Sequence, residues 1–131
     1  MSTSLLSPNL VSLTLPSSSS SVQINLFGAT ITSWKSQNQE RLFLSSKSNL
    51  DGQSPIRGGI PIVFPVFGEV KDHKDLPKGK GLEALPRHGF ARNSTWSLSN
   101  EKVHDEGQGG GEKVSVALGE SGGVRNEAWG I

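Results

Sequence analysis

The sequence predicts an all-β protein, and three observations carry that reading. Apolar and polar residues alternate in short runs, the period of a half-buried strand. Glycine and proline separate those runs at close intervals, as turns require. No long stretch keeps the apolar period of about 3.6 residues that an amphipathic helix needs.

In chain order, Val11, Leu13 and Leu15 alternate with Ser12 and Thr14, which predicts a first strand. The serine tract Ser17 to Ser21 reads as a solvated turn. Val22, Ile24 and Leu26 then alternate with Gln23, Asn25 and Phe27 as a second strand. Gly28-Ala29 interrupts the run, and glycine there supplies the freedom of a tight turn or bulge. Thr30 to Trp34 resumes β-type residues up to a polar turn at Ser36 to Glu40, and Leu42-Phe43-Leu44 reads as another short strand.

From Asp51 to Gly68 the character changes. Gly52, Pro55, Gly58, Gly59, Pro61, Pro65 and Gly68 punctuate an apolar segment. Proline fixes φ and removes a ladder donor, so a regular central strand or helix is excluded, and a shaped apolar loop against a sheet is expected. Glu69 to Leu82 is a polar, lysine-rich excursion; Ser94 to Ser99 and Lys113 to Leu118 read as strands, separated by a loop at Gly107 to Gly111.

The 131 residues fit one domain or part of a larger one, and with Gly 16 much of the chain is turn and loop. A formal net charge of +1 and 33% hydrophobic residues fit a soluble globular chain without the basic face of a nucleic-acid binder. With no cysteine, disulfides and thiolate metal sites are excluded. Met1 to Leu15 lacks a basic n-region and is broken by Pro8, so it does not read as a signal peptide. No apolar run reaches the roughly 20 residues of a membrane-spanning helix. A cytoplasmic location is the expectation.

Two segments hold candidate chemistry: Pro55-Ile56-Arg57-Gly58-Gly59-Ile60-Pro61 and Leu85-Pro86-Arg87-His88-Gly89-Phe90-Ala91-Arg92. An arginine inside an apolar, proline-braced loop is expected to meet an anion, because a buried unpaired guanidinium costs several kcal/mol, roughly. The paired glycines would admit a ligand or another backbone at close range. Arginine's planar fork suits phosphate oxygens, so Arg57, Arg87 and Arg92 are candidates for a phosphomonoester site, with His88 beside them. The alternative is structural: arginines paired with carboxylates, and a histidine hydrogen-bonded near a turn. Composition leaves both open.

The ordered motifs Gly28 to Trp34, Leu42 to Ser45, Leu50-Asp51-Gly52, Ile56 to Gly68 and Leu85 to Trp96 resemble the glucose-6-phosphate 1-epimerases of the aldose 1-epimerase superfamily. The best-matching stretch is 22–99, within a single domain covering 1–131. The resemblance implies a galactose-mutarotase-like β-sandwich of which this chain is the N-terminal, incomplete portion. It implies interconversion of the α and β anomers of a hexose 6-phosphate, without metal or cofactor. Arg57 and Arg92 would bind the substrate through its phosphate, and Arg87, where members often carry glutamine, would line the same site. His88 would hydrogen-bond the sugar.

Anomerisation needs a base at the C1 hydroxyl and an acid at the ring oxygen. The family's glutamate and histidine for those roles are expected beyond Ile131, so no catalytic pair is assigned. His73 and His104, beside Asp72 and Asp105, read as solvated, and Glu83 as an ion-pair partner. Gly107 to Gly111 and Lys78-Gly79-Lys80-Gly81 lack the strand-then-helix context of a nucleotide loop. Two alternatives stand beside the epimerase reading: a non-catalytic sugar-phosphate-binding module, and a free-aldose 1-epimerase, against which the arginines argue.

Overall fold

A computed structural model describes residues 2–7, 9–104 and 113–120. Seven strands form two antiparallel sheets: β1 (Ser2–Ser7), β2 (Leu10–Leu15), β3 (Ser20–Asn25), β4 (Thr30–Ser36) and β5 (Gln39–Glu40) in chain order, and a hairpin of β6 (Trp96–His104) with β7 (Lys113–Glu120). Helical structure among the described residues is confined to short 3-10 turns.

The core follows from the alternation. Val11 pairs with Ile24 and Leu13 with Val22 across β2 and β3, so their side chains share a face. Val11, Ile24 and Leu26 are buried, with Leu13, Val22 and Ile31 packed around them. Leu118 of β7 packs on the same cluster, which lays the hairpin against the larger sheet as a second layer.

Two connections are set by local chemistry. Pro16–Ser18 forms a 3-10 turn that returns β2 into β3 with Leu15 opposite Ser20. Gln37 and Asn38 both take positive φ between Ser36 and Gln39, the two-residue hairpin geometry that matches strand twist. The expected polar turn therefore contains β5. The glycine-associated bulge lies elsewhere: register shifts in β4 opposite Gln23 and Ile24, leaving Thr32 unpaired in the ladder. Thr32 is buried and its hydroxyl donates to the Gln23 carbonyl at 3.4 Å. Gly28 instead sits in the β3–β4 turn with φ 73°.

Leu42-Phe43-Leu44 forms a bridge, Leu44 to Gly58, and not a strand. Its partner segment has φ 104° at Gly58, and a ladder does not continue through that conformation. β1 has no counterpart in the alternation pattern. The loop expected at Gly107 to Gly111 lies largely outside the described residues.

Candidate functional site

The apolar loop 56–68 is shaped by backbone contacts on both sides. The Gly59 N–H donates to the Phe43 carbonyl at 2.8 Å, and Ile60 exchanges two backbone bonds with Ile31 of β4, at 2.9 and 3.1 Å. A Cβ on Gly58 would stand 2.4 Å from the Phe43 oxygen, and one on Gly59 2.1 Å from the Ile31 oxygen. The paired glycines thus admit neighbouring backbone.

Further along, the Phe64 carbonyl accepts from the amides of Phe90 and Ala91, at 3.0 and 3.4 Å. A Cβ on Gly89, at φ 77°, would lie 1.9 Å from that oxygen. Phe64 and Phe90 meet edge to face with ring centroids 5.8 Å apart. The second motif is gripped equally firmly by the β3–β4 turn. Gly28 N–H donates to Ser94, and Trp96 N–H donates to Leu26. A Cβ on Gly28 would be 2.6 Å from the Arg92 oxygen.

Between these anchors Pro86 to Gly89 closes a turn, the Gly89 N–H reaching the Pro86 carbonyl at 2.9 Å. His88 is its third residue, at φ 69°. That position normally goes to glycine or asparagine. The His88 N–H donates to the Gly68 carbonyl at 2.7 Å, and the Gly68 N–H donates back to His88 Nδ1 at 2.9 Å. The Phe67 ring lies over the imidazole, with centroids 4.9 Å apart.

Arg87, His88 and Arg92 form one electrostatic cluster. Arg92 Nη2 donates to the Arg87 carbonyl at 2.8 Å, while its Nε is buried without a hydrogen-bond partner. Desolvation, then the charges of Arg92 and Arg87, hold the His88 imidazole below its ordinary pKa. Glu69, next to Gly68, is held below the usual carboxylate range chiefly by its bond to Lys71, with a smaller contribution from Arg87. Sequence reasoning did not single out Phe67 or Glu69, although both flank Gly68 of the first motif.

Arg57 is set apart. Its N–H donates to Ser48 Oγ at 2.9 Å and its carbonyl accepts from Ser45 at 3.0 Å, so its backbone belongs to the 43–48 side of the loop. No hydrogen bond or ion pair joins it to Arg87, His88 or Arg92 among the described residues. The side chain is exposed, which removes the argument from a buried guanidinium.

One further expectation, the ion pair of Glu83, is corrected by the geometry. Glu83 accepts the Gly79 N–H at 2.9 Å and closes a turn, with no ion-pair partner among the described residues. His73 is exposed and bonds the Phe67 carbonyl through Nε2. His104 stands opposite Lys113 in the β6–β7 ladder. A cavity of about 540 Å³ lies beside the cluster, lined by Val70, Lys71, His73, Lys74, Lys78 and Glu83 among others, and contains none of the four candidates. No group of His, Cys, Asp and Glu that would hold a metal ion occurs among the described residues. No helix there is long and apolar enough to cross a membrane.

The aldose 1-epimerase family model matches residues 10–119. A protein of Cenchrus ciliaris named "putative glucose-6-phosphate 1-epimerase" is 45% identical over 80 residues, covering 60% of this chain and 21% of the relative. A protein of Escherichia coli K12 with the same name is 35% identical over 85 residues, covering 64% of this chain and 25% of the relative. The chain thus spans about a quarter or less of the curated relatives it matches. The crystal structure of a "putative mutarotase (YeaD)" from Salmonella typhimurium superposes with TM-score 0.61 at 28% identity, over 95% of this chain and 40% of that one.

Proposed function

The chain belongs to the aldose 1-epimerase family, and we propose that it serves the interconversion of the α and β anomers of a hexose 6-phosphate. Its own residues supply substrate recognition. The observation that carries this reading is the gathering of Arg87 and His88, on the turn tied to Gly68, with Arg92, whose Nη2 donates to the Arg87 carbonyl.

Arg87 and Arg92 bind the phosphate. A phosphomonoester near neutral pH carries a charge of about −1.5 to −2, with three oxygens that accept from guanidinium forks. Arg92 enters this role with its guanidinium oriented by the Nη2 bond to the Arg87 carbonyl. His88 bonds an oxygen of the sugar. Arg57, exposed and held through its backbone by Ser45 and Ser48, contributes a further positive charge. Names carried by the relatives from Cenchrus ciliaris and Escherichia coli support glucose 6-phosphate as the substrate.

Ring opening also needs a proton acceptor and a proton donor. The described carboxylates with perturbed ionisation, Glu40, Glu69 and Glu83, are all shifted downward, so each is ionised at neutral pH and none is an acid there. Their bonds to Ser33, Lys71 and Gly79 give each a separate task. The second reading is a sugar-phosphate-binding module without turnover of its own.

A thermal melt with glucose 6-phosphate and with glucose, each at the same concentration, tests recognition. Glucose 6-phosphate is expected to raise the midpoint and glucose to leave it unchanged. A rise with glucose alone would favour a free-aldose epimerase. Anomer exchange of glucose 6-phosphate, followed by NMR, separates the other two readings. Exchange above the buffer rate that Arg92→Ala abolishes marks an enzyme, and binding at the buffer rate marks a module.

A further inference from the structure

We propose that Gly68 holds His88 as the imidazole tautomer protonated on Nε2, so that His88 meets a ligand as a hydrogen-bond donor and not as a base. An amide N–H can only donate, so the Nδ1 that receives the Gly68 N–H at 2.9 Å must present a lone pair. In a neutral ring the proton then sits on Nε2. Turning the ring over would set a C–H against the Gly68 amide and leave that donor without its partner. The Phe67 ring against the imidazole opposes such a rotation.

The backbone has no slack to relieve this arrangement. His88 N–H is tied to the Gly68 carbonyl at 2.7 Å, which makes the pairing reciprocal. Gly89, the next residue, lies against the Phe64 carbonyl. His88 takes φ 69° here, in the left-handed region that is uncommon for residues other than glycine. Such conformations concentrate where surroundings over-determine them for a purpose.

The neighbouring charges act in the same direction. Desolvation opposes a second proton on the ring, and the charges of Arg92 and then Arg87 add to it. The carboxylate beside Gly68 in the chain, Glu69, is paired with Lys71. His73 is occupied at Nε2 by the Phe67 carbonyl. Burial, these charges and the Gly68 N–H on Nδ1 all disfavour a second proton on the ring.

The ligand chemistry follows, resting for its identity on the hexose-phosphate reading. A neutral Nε2–H beside two guanidiniums recognises an oxygen acceptor, the ring oxygen or a hydroxyl of the sugar. It cannot remove the proton from C1–OH, because the lone pair is turned to Gly68. The base in anomerisation is then a different group.

The test is NMR on the ¹⁵N-labelled full chain without ligand. A through-bond coupling between the Gly68 amide nitrogen and His88 Nδ1 is expected, with Nε2 of pyrrole type and Nδ1 of pyridine type. The pattern is read in the neutral ring, above the ordinary imidazole value of about 6.5. A proton on Nδ1 or averaging of two tautomers would overturn the proposal. His88→Asn provides a second arm, since asparagine tolerates the left-handed region and offers one acceptor and one donor. It should hold glucose 6-phosphate within about tenfold of the native affinity, whereas His88→Ala loses more than about tenfold. The native pattern without any sugar-phosphate binding would reject the proposed substrate and leave the tautomer assignment standing.

Discussion

At Glu40 a single exposed carboxylate closes the β4–β5 hairpin. It accepts from the Ser33 hydroxyl and from the backbone amides of Trp34, Arg41 and Leu42, and these donors bring its pKa from 4.5 down to about 2. A carboxylate lowered by folding stabilises the fold above its unfolded pKa, and that contribution disappears as pH falls through the folded value. The window is therefore pH 4.5 to about 2. Glu40→Gln should flatten the acid side of the stability profile in that window, read as the thermal midpoint against pH for the native chain and the variant. The glycines allow a sharper comparison, since Gly79 and Gly89 have nearly the same φ, 75° and 77°. A Cβ on Gly79 meets nothing, whereas one on Gly89 collides with the Phe64 carbonyl. Urea unfolding should give Gly79→Ala a cost of about 1–2 kcal/mol, and Gly89→Ala about 3 kcal/mol or more. At this scale the sequence was informative about residue type and poor about partner. That Gly58 and Gly59 permit close approach was legible in their pairing, whereas the same role of Gly89 was not. That the approaching groups are the carbonyls of Phe43, Ile31 and Phe64 depends on long-range pairing, which no local pattern encodes.

Among the elements, the β3–β4 turn links the core to the proposed site. Asn25, at the end of β3, is buried, and its Oδ1 accepts the Phe27 N–H at 2.9 Å. The neighbouring amides of Gly28 and Trp96 are spent on joining the turn to the 94–96 segment. Asn25→Ala would leave the Phe27 N–H buried without a partner. A loss of about 1–3 kcal/mol is expected by denaturant titration. Because the same turn supports the Arg92 backbone, sugar-phosphate affinity should fall as well. Strands β2, β3 and β4 could be read from the alternation of Val11, Leu13, Val22, Ile24 and Ile31, since each buries one face. The bulge at Thr32 was not legible: a threonine reads as an ordinary strand residue, and only the register against Gln23 and Ile24 reveals it. Ser2–Ser7 escaped for the opposite reason, its two leucines being adjacent and not alternating.

For the molecule as a whole, the loop that carries the first motif presents Ile60, Ile62, Val63, Phe64 and Phe67 to solvent, with Phe43 beside it. Contiguous exposed apolar surface drives association. Sedimentation velocity of this chain should show concentration-dependent self-association, reduced by Val63→Lys, whose side chain lies outside the His88 and Phe64 contacts described above. A monomer at all concentrations would contradict this. The all-β class was legible from periodicity, and the arginine cluster from motif order. The position of Arg57 on the far side of the loop, exposed and tied to Ser45 and Ser48, was not, because its neighbours in space come from a segment with no strand of its own.

The central claim is that Arg87, His88 and Arg92 receive the substrate phosphate and sugar. Titrating glucose 6-phosphate into the ¹⁵N-labelled chain and following backbone amides tests it most directly. The account predicts saturable shifts at Gly68, His88, Gly89, Phe90 and Arg92, with glucose at the same concentrations producing none. Shifts confined to Val70, Lys71, Lys74 and Lys78, around the neighbouring lysine-lined cavity, would contradict it.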